Sequence, residues 1–104
     1  MEYPNTRISY CYRDASNWKF WGEFVVEGYL SRSQLEPYLF NGEWFVPEHV
    51  GLKHLLTEPW SEDDHVLHEL HEFEETEESH VVGSADLIVK RFAAAHQKGW
   101  FDGY

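Results

Sequence analysis

Ten acidic residues lie between Glu58 and Glu78 with no Lys or Arg among them. Like charges at this density repel one another, so such a run folds as a solvated face or a loop and cannot be buried as a whole. Val66, Leu67, Leu70 and Phe73 interrupt it, which predicts that part of the run is pinned to a core. Of the 19 acids in the chain, nine lie elsewhere, against all eight bases, a balance of −1. Nearly all of the formal charge of −11 therefore belongs to one fifth of the sequence.

This distribution excludes some classes of function. A domain that neutralises phosphates carries an excess of Lys and Arg, so direct nucleic-acid binding is not expected. No stretch approaches the roughly 18 consecutive apolar residues of a membrane helix, and the first twenty residues lack the regions of a signal peptide. The expectation is a cytoplasmic protein without a membrane partner. Its 104 residues fit a single domain, residues 1–104, with an acidic, His-containing segment at 58–80. Cys11 is the one cysteine, so it closes no disulfide within the chain.

Five Trp, six Tyr and seven Phe supply the means to fill a small core with a few large side chains. Each of Trp18, Trp21, Trp44, Trp60 and Trp100 is read first as core and second as an anchor at a partner surface. Along the chain, Arg7 to Arg13 alternates, with Ile8, Tyr10 and Tyr12 on one side and Ser9 and Cys11 on the other. That pattern predicts a half-buried strand. Asp14-Ala15-Ser16-Asn17 reads as a turn into a second strand from about Trp18 to Leu30, and the two form an antiparallel hairpin. Gly22 or Gly28 marks a bulge or an end of that strand.

Ser33-Gln34-Leu35-Glu36 matches a capping box and predicts a short helix ended by Asn41-Gly42. Glu43 to Val46 reads as a short strand stopped by Pro47, with a helical turn after it. Ser84 caps a C-terminal helix whose inward stripe is Leu87, Ile88, Phe92 and Ala95, with Gly99 beyond its end.

The stretch Asp64 to Glu75 reads two ways. On a helix Val66, Leu67, Leu70 and Phe73 share an arc of about 120°, with His65, His68, His71, Glu69 and Glu72 opposite. As a strand neither face is clean unless a bulge repairs the alternation. Both outcomes give an α+β fold: an antiparallel sheet of three to four strands packed against the C-terminal helix and one short helix.

Three pieces, Tyr12-Arg13-Asp14-Ala15-Ser16-Asn17, Pro47-Glu48-His49-Val50-Gly51-Leu52, and Asp64-His65 followed by His68-Glu69-Leu70, resemble a group of small bacterial proteins with no assigned activity. The resemblance covers most of the chain. It implies a compact bacterial domain with a strand over the histidine segment, and it carries over no functional residue.

His65, His68 and His71 beside Glu69 and Glu72 are the candidate ligands for a divalent metal, since imidazole and carboxylate suit Zn, Ni or Fe. His80 or His49 is the candidate remote ligand. The spacing does not match the zinc-protease pattern, because in His68-Glu69-Leu70-His71 the second His comes one residue early. No phosphate loop, nucleophile elbow or dinucleotide fingerprint occurs, and among ten acids no pair stands out as an acid and a base. No cofactor and no catalytic residue is expected. The leading expectation is a non-enzymatic binding protein that presents Trp60, Glu62, Asp63, Asp64, Glu72, Phe73, Glu74 and Glu75 to a basic protein partner. The alternatives are a metal-binding protein or metal-dependent enzyme using the three histidines, and acidity that serves solubility alone.

Overall fold

A computed structural model describes residues 4–13, 18–55 and 67–100. They form a four-stranded antiparallel sheet with a C-terminal helix and one short helix, the α+β arrangement the sequence predicts. The strands are β1 (Asn5–Arg13), β2 (Lys19–Glu27), β3 (Trp44–Phe45) and β4 (His68–Thr76), in the order β2-β1-β4-β3. The helices are α1 (Arg32–Leu35) and α2 (Ala85–Lys98). No helix among the described residues is long and apolar enough to cross a membrane.

The alternation in β1 decides which way the sheet faces. Ile8, Tyr10 and Tyr12 are buried on the inner face, while Arg7, Ser9 and Arg13 stay half-exposed on the outer. β1 and β2 pair without interruption from Asn5 opposite Glu27 to Arg13 opposite Lys19. Gly22 marks no bulge; it sits opposite Tyr10, and a Cβ there would meet Leu55 Cδ2 and the Tyr10 ring. Gly28, at φ +91°, ends the strand. The expected turn at Asp14 to Asn17 lies outside the described residues.

β4 settles the two readings of the histidine segment in favour of a strand, and it does so with a bulge. Ile8 lies opposite Phe73 and Tyr10 opposite Leu70, so His71 and Glu72 together face Ser9. The Ser9 hydroxyl accepts the Glu72 N–H at 2.9 Å. With one extra residue absorbed, Leu70 and Phe73 both turn toward the core despite their spacing of three. Asp64, His65 and Val66 lie outside the described residues.

Both helices differ in detail from expectation. The capping box belongs to Ser31 and Gln34, two residues earlier than predicted, and α1 passes into a 3₁₀ turn at Glu36–Tyr38 that accommodates Pro37. Asn41 and Gly42, both at positive φ, then reverse the chain so that Phe40 bridges to Trp44. In α2, Ser84 accepts the Leu87 N–H as predicted, but the buried stripe is Ala85, Ile88, Phe92 and Ala95. Leu87 is 37 % exposed because it leaves that stripe and lies over Gly83.

The core forms between the inner sheet face and α2. Tyr10 packs edge-on to Phe24 at 5.8 Å, and Phe45 meets Phe92 at 5.3 Å. Trp100 is buried and donates from Nε1 to Tyr38 O at 2.8 Å. Trp18 and Trp21 stand exposed, Trp44 is half-buried, and Trp60 lies outside the described residues.

The Tyr10 hydroxyl donates to Lys53 O at 2.9 Å, and burial pushes its pKa up to about 12. An unfolded tyrosine ionises near 10, so the folded state gives up stability as pH rises from about 10 to 12, a window worth about 2 to 3 kcal/mol. Urea unfolding of Tyr10→Phe should show a loss of about 1 kcal/mol at neutral pH and the absence of this alkaline decline. A variant that declines as the wild type does would assign the alkaline loss to another group.

Candidate functional site

The acidic segment is described from Leu67 onward, and its acids do not stand alone. Arg7, on the outer face of β1, reaches three of the chain's acids: Glu78 Oε1 at 3.1 Å, Glu74 Oε2 at 3.3 Å and Glu23 Oε2 at 3.8 Å. The hydrogen bonds that Arg7 donates to Glu78 and then Glu74 raise its pKa, so the guanidinium is held in its charged form. Arg13 approaches Glu69 at 3.5 Å. Both Arg side chains stand on the same outer face because they occupy alternate positions of β1.

Glu72, Glu75 and Glu77 are the acids left over. All three are exposed and no ion pair reaches them among the described residues. Phe73, between two of them, is half-buried and packed against the core beside Ile8. Of the predicted partner-binding residues, then, Glu72, Phe73 and Glu75 lie together, Glu74 is drawn into the Arg7 cluster, and Trp60, Glu62, Asp63 and Asp64 lie outside the described residues. The sequence reading passed over Arg7 and Glu77. Arg7 had a legible signal, as a cation on the polar side of an alternating strand.

The histidines separate. His68 points inward, fully buried among Tyr10, Tyr12, Phe45 and His54, and its Nε2 accepts the Leu55 N–H at 3.1 Å. It therefore ties the 52–55 loop to the sheet as a neutral acceptor. His71 points outward, edge-on to Trp21 with ring centroids 4.6 Å apart and Nε2 3.5 Å from Glu69 Oε1. Side chains on opposite faces of one strand do not share an ion. Among the described residues no group of three His, Cys, Asp or Glu is placed to hold a metal, and His65 lies outside them.

Cys11 is buried on the outer face, between Trp21 on β2 and Glu69 on β4. Burial pushes its thiol above the ordinary range and Glu69 adds to the shift, which disfavours the thiolate needed for nucleophilic attack. Where β3 stops, a polar cleft of about 400 Å³ opens, lined by Arg13, Arg32, Glu43, Trp44, Glu69 and Leu70. Arg32 closes part of it by donating from Nη1 to Leu70 O at 3.0 Å.

No family model, no curated protein and no solved structure matches the chain.

The two described histidines should differ sharply on truncation. His68→Ala removes a buried ring and the acceptor for Leu55, which should cost about 2 to 4 kcal/mol in chemical denaturation, whereas His71→Ala on the half-exposed face should cost under about 1 kcal/mol. Equal losses would contradict their placement on opposite faces.

Proposed function

We propose that this chain is a small non-enzymatic binding protein that engages a basic protein surface through its acidic segment, in the manner of an inhibitor, an immunity protein or a nucleic-acid mimic. The observation that carries this reading is the partition of charge. Arg7 and Arg13 compensate Glu74, Glu78 and Glu69, while Glu72, Glu75 and Glu77 remain exposed without a counter-ion among the described residues. Acids whose only task is solubility can be scattered over the whole surface. Here they are concentrated on one segment, where their fields add and accelerate the approach of a basic partner in a salt-dependent way. Phe73 supplies apolar area beside them, which charge alone does not.

Affinity capture from the native host at low and high salt tests the reading. The expected result is a basic protein recovered at low salt and lost at high salt, which binds again after purification. Its association rate should fall by about tenfold or more with the Glu72→Lys, Glu75→Lys, Glu77→Lys variant. Unchanged association with that variant, or no basic partner at either salt, would overturn the proposal.

A further inference from the structure

β3 is two residues long and meets β4 at His68 and Glu69, so among the described residues β4 has a strand on one side only from Leu70 to Thr76. Beyond the bond from Arg32 to Leu70 O, no hydrogen bond among the described residues covers that side of the strand. The far edge of the sheet is treated differently. There Val82 N–H donates to Val25 O at 2.9 Å and Glu27 N–H donates to Gly83 O at 2.8 Å, so the chain itself covers the end of β2. An uncovered strand edge is a ready template for another strand, and it takes its occupant by main-chain hydrogen bonds.

The side chains along the edge state which occupant. A second copy of this chain pairing through the same edge would bring Glu72, Glu74 and Glu75 against their own kind, and each chain carries −11. Like-charge pairs of that kind oppose self-association, and the same acids attract a cationic strand. On the core-facing side Phe73 offers half-buried apolar area and Glu75 an exposed carboxylate. Glu72, displaced by the bulge, adds a second exposed carboxylate one residue before Phe73.

We propose that the Leu70–Thr76 edge of β4 receives an extended basic segment of a partner protein as an added strand, with a β-branched or other apolar side chain beside Phe73 and Lys or Arg beside Glu72 and Glu75. This inference rests on the function proposed above and specifies the mode of engagement. The bulge favours it by fixing Phe73 on the core face, where an added strand continues the apolar layer begun by Ile8.

The test uses a fluorescent heptapeptide, acetyl-Lys-Lys-Thr-Val-Lys-Thr-Lys-amide, which in antiparallel register sets Val beside Phe73 and Lys beside Glu72 and Glu75, and the same peptide with every backbone amide N-methylated, which keeps the charge and removes the donors of a strand. Anisotropy at low salt should show the first peptide binding at least about tenfold more tightly than the second. Hydrogen exchange should show the Phe73 and Glu75 amides slowed at least about tenfold by the first alone. Glu75→Lys, an exposed position, should weaken the first peptide by about fivefold or more.

Equal binding of the two peptides with no change in exchange would overturn strand addition while leaving attraction to a basic surface standing. Failure of the protein to bind either peptide would overturn both. Slowed exchange at Phe73 and Glu75 that appears without peptide and grows with protein concentration would assign the edge to a second copy of the chain.

Discussion

Ser9 faces two residues of β4, and the arrangement of the sheet depends on that one extra residue. Side chains alternate along a strand with a period of two, so His68 and Leu70 point inward and, without correction, Phe73 would point to solvent. The bulge at His71 and Glu72 resets the phase. Phe73 joins Ile8 on the core face, and Glu74 stands on the outer face opposite Arg7. The Ser9 hydroxyl holds the irregularity in place by accepting the Glu72 N–H.

From this correction follows the division of labour in the acidic segment. The inner side of β4 belongs to the core: His68 and Leu70 are buried and His68 anchors the loop ahead of the acidic run through Leu55. The outer side belongs to Arg7, Arg13 and Trp21, which gather Glu74, Glu78, Glu69 and His71. What remains is the edge, with Glu72 and Glu75 beside it and Glu77 beyond the strand. Exposed ion pairs of this kind contribute little stability each. Their consequence here is to decide which acids are neutralised and which stay exposed without a counter-ion among the described residues.

Much of the architecture was legible because it rests on local rules. The alternation of Ile8, Tyr10 and Tyr12 announces β1, and Ser84 and Gly99 bracket α2. The histidine segment was not, for a specific reason. A bulged strand places Leu70 and Phe73 three residues apart on one face, the same spacing that a helix gives, so periodicity alone cannot separate the two. The deciding fact is the partner strand, and pairing is non-local. Leu87 misled for a related reason: the wheel places it beside Ile88, but only the tertiary structure shows that Gly83 offers it a surface outside the core. At the candidate site the acids were legible as a run, whereas their sorting into compensated and uncompensated groups required knowing that Arg7 lies across from Glu74.

Residues 68–76 form a bulged strand that splits its histidines and acids between faces. Nuclear Overhauser contacts in the isotope-labelled protein test it most directly. The expected result is cross-strand contacts of Ile8 with Phe73 and of Tyr10 with Leu70, together with His68 ring contacts to Tyr12 and His71 ring contacts to Trp21. Sequential amide contacts through 68–75 with His68 and His71 on a common face, the signature of a helix, would contradict it.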